Sequence, residues 1–126
     1  MSYILEFKIS QLPDSPNKLL GAHWTRRKKH ADKWLRLVWA KVLQEEAPPE
    51  PLKKAKLTLV RYSTHKLDSD NLRSSFKAVV DALVKVGVIV DDDMDVIGEP
   101  EVRQEPTTRE NKFIYVKVEE IKQGEK

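Results

Sequence analysis

The sequence contains no cysteine, only 4 glycines in 126 residues, and few aromatic residues, which make up 7% of the total. Without thiols the chain forms no disulfide, no thiolate zinc site and no cysteine nucleophile. We find no glycine-rich phosphate loop, no internal repeat and no heptad series. No basic region followed by an apolar core opens the chain, and no apolar run approaches the length of a membrane span. We therefore expect a cytoplasmic protein that does not enter a membrane.

The charged residues are distributed unevenly along the chain. The length and the composition, 40% hydrophobic and 34% charged, are typical of one soluble globular domain over residues 1–126. Residues 1–66 carry 14 Lys and Arg against 6 Asp and Glu, whereas residues 67–126 carry 9 against 14. A basic front half suggests a polyanionic partner, and an acidic back half suggests a cation. A metal-dependent nuclease needs both, while two differently charged solvated faces are the alternative.

Hydrophobic periodicity predicts six main elements. The strands are predicted over 2–9, 56–62, 96–104 and 113–118, and the helices over about 23–46 and 71–86. The strands are indicated by alternation and the helices by apolar residues at three- and four-residue spacing. The order is strand, helix, strand, helix, strand, strand. It predicts an α+β fold with a mixed sheet of about four strands and two main helices on one side.

Two acidic clusters flank the second predicted helix. Asp68 and Asp70 precede it, and four aspartates within Asp91–Asp95 follow Gly87, which is placed to end the helix. Residues two apart point about 200° away from each other on a helix but the same way on an extended segment. We therefore expect the helix to begin at Asp70 or Asn71, both good caps. Carboxylates from separate segments hold hard divalent cations, so the two clusters indicate a metal site. A capped helix with an exposed acidic loop is the alternative.

A basic segment opens the first predicted helix. Basic residues beside aromatic ones are typical of contacts to nucleic-acid phosphates, and a solvated helix start is the alternative. Trp24 and Trp34 are able to stack on bases, although interior packing is the commoner fate of tryptophan. The consecutive basic residues are Arg26, Arg27, Lys28 and Lys29. The buried stripe of this helix is predicted to consist of Leu35, Val38, Trp39 and Val42.

An ordered set of motifs carries a family resemblance. Asp68-Ser69-Asp70-Asn71-Leu72 is followed by a Lys-Ala-Val-Val-Asp-Ala-Leu segment over 77–83 and by Gly-Val-Ile-Val-Asp-Asp over 87–92. A weaker set is Ser15-Pro16-Asn17, then His23-Trp24 with the basic residues after it. Over most of the chain these motifs resemble the RusA family of Holliday junction resolvases. The family pattern is Asp-x-Asp-Asn-Leu, a helical Lys, Asp-Ala-Leu and a hydrophobic-Asp-Asp turn.

The resemblance implies a small homodimeric endonuclease that binds branched DNA. Such an enzyme cuts symmetric strands of four-way junctions in recombination and repair, using Mg²⁺, with Mn²⁺ as a substitute. The three metal-ligand aspartates of the family map to Asp68, Asp70 and Asp92. Asp91 and Asp93 remain rivals for the third position, because the family often has a small residue where this chain has Asp93.

The resemblance also assigns basic residues. The family lysine maps to Lys77, seven residues after Asp70 and therefore on the same face of a continuous helix. In some members this lysine lies three residues nearer the aspartate pair, which leaves Arg73, one turn from Asp70, as a rival. Lys66 and Arg73 flank the pair and join Arg26–Lys29 as candidate contacts to DNA.

Two other functions remain open at this point. The first alternative is a non-catalytic module that binds branched DNA, in which the aspartates only cap helices and increase solubility. The second alternative is a metal-dependent nuclease that acts on flaps or on RNA. A cleavage assay with and without Mg²⁺ distinguishes the non-catalytic module from a junction nuclease. A panel of DNA and RNA substrates distinguishes a nuclease of flaps or RNA from a junction nuclease.

Overall fold

Four strands form one sheet in the computed structural model, which describes residues 3–14 and 24–122. The elements are β1 (Ile4–Ile9), α1 (Trp24–Glu45), β2 (Ala55–Ser63), α2 (Ser69–Ser75), α3 (Lys77–Lys85), α4 (Met94–Ile97), β3 (Glu101–Pro106) and β4 (Phe113–Glu120). A 3₁₀ turn over Arg109–Asn111 precedes β4. The α+β class, the four-stranded mixed sheet and the two main helical segments are confirmed. Ser15–Asn17 and His23 of the weaker motif lie outside the described residues.

The strand order in the sheet is β1-β4-β2-β3. β4 pairs antiparallel with both β1 and β2, and β2 pairs parallel with β3. Parallel neighbours need a crossover connection, and here α2, α3 and α4 provide it. The register aligns Phe7, Val116, Leu59 and Val102 in one row across the sheet. Such rows form the core-facing side, so the predicted alternation in β1 and β4 is confirmed.

Helix α1 packs on this layer through a narrower stripe than predicted. Trp34, Val38 and Val42 are buried, and the indole of Trp34 is fully inaccessible to solvent. Trp39 is 55% exposed, so the prediction that it belongs to the core is wrong. Successive helical residues are about 100° apart. Since Trp34, Val38 and Val42 face the core, where α1 contacts β1 and α3, a residue next to Val38 already points outward.

The second predicted helix is interrupted at Phe76. The N–H of Phe76 donates to the carbonyl oxygen of Arg73 at 3.2 Å, a three-residue spacing tighter than that of an α-helix. Phe76 has φ −85° and ψ −1°, and its ring is buried. The break separates α2 from α3. Both pieces keep apolar residues at helical spacing, and for that reason the sequence pattern does not reveal the break.

Gly87 ends α3, as predicted. Its φ is +86°, a conformation that glycine adopts without strain. The N–H of Val88 donates to the carbonyl of Leu83, and the N–H of Gly87 donates to that of Val84. This pair of bonds is the Schellman arrangement that satisfies the last carbonyls of a helix. The chain then continues at once into the second acidic cluster.

The segment after the second acidic cluster differs from the prediction. A strand was expected over 96–104, but Met94–Ile97 forms α4 and the strand begins at Glu101, directly after Pro100. Asp93 caps α4, which draws the chain into a helical turn before Pro100. None of the helices among the described residues is long and apolar enough to cross a membrane.

Candidate functional site

The first acidic cluster lies where the chain leaves β2 and enters α2. Asp68 is the N-cap, with extended backbone angles of φ −67° and ψ 164°. Its Oδ1 accepts the backbone N–H of Asn71 at 2.8 Å, and its Oδ2 accepts the Asn71 side-chain amide at 3.0 Å. The helix therefore begins at Ser69, earlier than the predicted Asp70 or Asn71. The short side chain of Asp68 reaches the third helical amide, and this bond decides the start.

Asp70 lies in the first turn of α2 and is exposed. Among the described residues its carboxylate takes part in no hydrogen bond or ion pair. A carboxylate near a helix N-terminus is favoured by the partial positive charge of the backbone amides. Asp68 and Asp70 thus lie two residues apart but differ in their hydrogen bonding, since the carboxylate of Asp68 caps the helix and that of Asp70 is open to solvent.

The turn that carries Asp68 is fastened to β3 by Gln104. The backbone N–H of Leu67 donates to Gln104 Oε1 at 3.0 Å, and Gln104 Nε2 donates to the Leu67 carbonyl at 2.7 Å. Gln104 lies on the core-facing side of β3, in the row next to Val102. The sequence did not identify this residue as part of the site. A polar side chain at an inward strand position was the available signal.

The second acidic cluster shows the same division between capping and open carboxylates. Asp93 Oδ1 accepts the N–H of Val96 at 3.1 Å, and Asp91 Oδ1 accepts the N–H of Asp92 at 2.8 Å. The carboxylate of Asp92 accepts no hydrogen bond from the part of the chain that the structure describes. Asp92 is therefore the one of the three rivals whose oxygens are not engaged with backbone. All three side chains are exposed.

An ion pair joins the helices that carry the two clusters. Arg73, one turn after Asp70, contacts Glu99, which follows α4, through Nη1 and Oε1. The two acidic segments therefore lie on the same flank of the sheet. However, the His, Asp and Glu side chains of residues 3–14 and 24–122 form no group of three or more arranged to hold a metal. Asp68, Asp70 and Asp92 therefore do not form a closed three-carboxylate ligand set among the described residues.

The donor chemistry of this flank nevertheless suits Mg²⁺. Magnesium keeps several of its waters and is held in proteins through one or two carboxylates together with substrate phosphates. Asp70 and Asp92 offer exposed oxygens of the required hard type. Asp70 or Asp92 would hold such an ion through one carboxylate, and the ion would supply positive charge to a bound phosphate.

Lys77 lies at the start of α3, beyond the break at Phe76. Because the helix is not continuous from Asp70 to Lys77, the seven-residue spacing does not place Lys77 on the face of Asp70. Lys77 Nζ lies 3.7 Å from Asp81 Oδ2, and the lysine side chain is 75% exposed. Arg73 remains in the same helix as Asp70. The structure thus associates Arg73 more directly with the first acidic cluster.

The basic segment forms the exposed first turns of α1. Arg26, Arg27, Lys28 and Lys29 all reach solvent, and Lys28 pairs with Asp32 at 3.2 Å. Arg27, Lys77 and Lys85 line one cavity of about 330 Å³ between α1 and the helices of the crossover. Lys66 is exposed in the turn before Asp68. Of the two tryptophans considered for stacking, Trp34 is buried and Trp24 is 62% exposed.

Arg61 is a second residue that sequence reasoning missed. It lies on the core-facing side of β2, opposite Ile114 of β4 and Gln104 of β3. Its Nη1 donates to the carbonyl of Pro13 at 3.0 Å. Burial lowers the pKa of the guanidinium below its ordinary value, and the nearby Asp14 carboxylate opposes that shift. An arginine in the inward phase of an otherwise apolar strand was the signal in the sequence.

No protein-family model matches this chain, and no curated protein resembles it significantly. The geometry of the described residues and the motif pattern are therefore the grounds for a functional interpretation.

Proposed function

We propose that the chain is a Mg²⁺-dependent, structure-selective endodeoxyribonuclease that resolves four-way DNA junctions in recombination and repair. The observation that carries the proposal is the pair of open carboxylates of Asp70 and Asp92, each next to an aspartate that already serves a cap or turn. A capping role accounts for Asp68 and Asp93, and the N-terminus of α2 favours a carboxylate at Asp70, but neither accounts for the exposed carboxylate of Asp92. The order of the motifs, which resembles that of RusA resolvases, supports the same function.

The proposed roles divide between the acidic flank and the basic helix. Asp68, Asp70 and Asp92 would hold the metal ion. When bound, Mg²⁺ supplies a water of lowered pKa and positive charge opposite the phosphate. Arg73, with Lys77 as its rival, would offset the negative charge that develops on the phosphate oxygens. Gln104 would position the Asp68 turn through its two bonds to Leu67.

The basic residues of α1 would hold the DNA backbone beside the acidic flank. Arg27 lines the same cavity as Ser74 of α2 and Lys77 of α3, so the first turns of α1 lie next to the helix that carries Asp70. Positive charge at this position attracts phosphates that the aspartates alone would repel. Lys66, exposed directly before the aspartate pair, is a further proposed backbone contact.

A homodimer is part of the proposal because of the symmetry of the substrate. A C₂ dimer presents two equivalent sites related by an axis, and a four-way junction offers two equivalent strands. Two symmetric cuts then resolve the junction. Sedimentation at micromolar concentration should give a dimer, and a monomer would weaken the junction proposal while leaving nuclease activity possible on other substrates.

A non-catalytic DNA-binding module is the second candidate. The specific observation in its favour is that Asp68 and Asp93 do cap helices, which is what a purely structural role predicts for them. Under this hypothesis the basic residues of α1 bind branched DNA and no strand is cut. A nuclease whose substrate is a flap or RNA is distinguished from both by the choice of substrate.

The test is a cleavage panel of four-way, flapped, linear duplex and RNA substrates in Mg²⁺, Mn²⁺ and EDTA. We expect paired nicks on the four-way DNA with either metal, none in EDTA and little cutting of linear duplex. Asp70→Asn serves as the inactive control. Equal cutting of linear duplex would eliminate junction selectivity but not the nuclease. Tight binding without cutting on every substrate would establish the second candidate instead.

A further inference from the structure

A cavity of about 500 Å³ opens at the carboxyl end of β2. Its walls come from residues 10–14 after β1, from Lys33 of α1, from the chain between Arg61 and Leu67, and from Lys112 before β4. Leu67 immediately precedes Asp68, and consecutive Cα atoms are about 3.8 Å apart. The cavity therefore adjoins the first acidic cluster, and it shares the lining residue Asp14 with the groove that Arg27 and Lys77 line.

Positive charge predominates in the walls of this cavity. Three basic side chains, Lys33, Arg61 and Lys112, line it, whereas Asp14 is its one carboxylate. Lys33 and Lys112 are exposed and belong to different elements. Three cationic groups on separate elements meet at a single concave site because the tertiary structure brings them together, and such a site attracts anions.

Arg61 gives the cavity a fixed cationic wall. The guanidinium is half-buried, and the bond from Nη1 to the Pro13 carbonyl holds it in place. Its Nε is buried and makes no hydrogen bond with any described residue. A guanidinium carries five donors in a planar fork that suits phosphate and carboxylate oxygens. Arg61 therefore adds a positive charge held at a fixed position in the cavity wall, whereas its buried Nε is not accessible to a ligand.

We infer that this cavity binds a phosphate group of a DNA strand, next to the phosphate that lies at the Asp68 turn. This inference rests on the proposed nuclease function, because it places the strand across both the cavity and the acidic cluster. A phosphodiester suits the site since its oxygens can be shared among Lys33, Lys112 and Arg61. The cavity would hold the strand in register while the acidic cluster contacts the neighbouring phosphate.

The test compares two double variants in DNA binding. Lys33→Ala/Lys112→Ala removes the exposed charges of the cavity, whereas Lys53→Ala/Lys122→Ala removes two exposed lysines from a different cavity. Affinity for four-way DNA is measured in EDTA across a range of salt concentrations. Each phosphate contact contributes about 0.9 to the slope of log K against log salt on duplex DNA. The slope of log K against log salt should be smaller in magnitude for Lys33→Ala/Lys112→Ala than for Lys53→Ala/Lys122→Ala by at least about 0.9. Equal slopes for the two double variants would overturn the inference.

A second measurement identifies the source of the phosphate. Thermal unfolding is followed in inorganic phosphate and in chloride at matched ionic strength. A small phosphate ligand would replace the DNA strand as the occupant if two results occurred together. Inorganic phosphate would stabilise the parent but not Lys33→Ala/Lys112→Ala, and the two substitutions would leave the salt dependence of DNA binding unchanged. Because the binding assay uses EDTA and intact aspartates, it remains decisive even if the chain cleaves nothing. If the chain binds DNA through this cavity but does not cut it, the proposed nuclease function is refuted and the inference about the cavity stands.

Discussion

Asp68 is expected to have two separable roles, and substitution distinguishes them. In the structure its Oδ1 accepts the Asn71 backbone N–H at 2.8 Å, which makes it the N-cap of α2. Asp68→Asn keeps a side-chain oxygen for this bond, and asparagine caps helices about as well as aspartate. Asp68→Ala removes the cap. Both substitutions remove the charge that a metal ligand needs.

The magnitudes of the two effects differ enough to be separated. Loss of a cap costs about 1 kcal/mol, which lowers the Tm of a domain of this size by about 4 °C. Asp68→Asn should stay within about 0.5 kcal/mol of the parent, since it keeps the cap and loses the attraction between the carboxylate and the helix amides together with one exposed bond from the Asn71 side chain. Loss of a metal ligand removes several kcal/mol of rate enhancement, and each 1.4 kcal/mol is about tenfold in rate. Both variants should therefore cleave at least about a hundredfold more slowly.

The assay combines thermal unfolding with single-turnover cleavage of four-way DNA under saturating protein. Saturation makes the rate independent of any change in DNA affinity. Glu110→Gln, an exposed charge removal in the 3₁₀ turn before β4, is the control and should match the parent in both measurements. Cleavage by Asp68→Asn within tenfold of the parent, together with a lower Tm for Asp68→Ala, would show that Asp68 is only a cap and would refute its role as a ligand.

Three further predictions concern other parts of the chain. Alanine at all four positions of Arg26–Lys29 should flatten the salt dependence of DNA binding by up to about 3.6 in log–log slope, and an unchanged slope would make this segment a solvated helix start. Asp92→Asn should abolish cleavage with little change in Tm, because its carboxylate makes no bond among the described residues; if Asp92→Asn stays active, Asp91 or Asp93 is the third ligand. Burial lowers the pKa of His30 below its ordinary 6.5, so the unfolded chain binds the proton more readily. Unfolding free energy should then fall as pH drops through about 6.5, and His30→Gln should reduce that dependence in chemical denaturation.

The strand faces, the basic helix and the end of α3 were predictable from the sequence. Alternation in β1 and β4 is a local property with a period of two residues, and it assigns each side chain to a face without knowledge of the neighbouring strand. Gly87 ends α3 for a reason equally local, since a positive φ favours glycine. The two acidic clusters were also recognisable, because the residues of each lie within a few positions along the chain.

Only the tertiary structure decided which partner each surface meets. Trp34 and Trp39 are equally apolar and both lie on α1, yet Trp34 is buried on the face that packs on the core and Trp39 is exposed on another face. The ring of Phe76, where α2 gives way to α3, is likewise buried among residues distant in sequence. Local spacing cannot specify these outcomes, since they are determined by contacts between residues far apart in sequence.

The contacts of Gln104 and Arg61, which anchor the chain around the candidate site, were likewise not predictable from local sequence. Gln104 and Arg61 are neighbours in the parallel register of β2 and β3, although 43 positions separate them. The pairing of these strands brings Gln104 to Leu67, and the position of the chain after β1 brings Pro13 to Arg61. The sequence determined which residues carry charge and hydrogen-bonding groups. The strand order β1-β4-β2-β3 decided which of those groups meet, because strand pairing acts between segments that are distant along the chain.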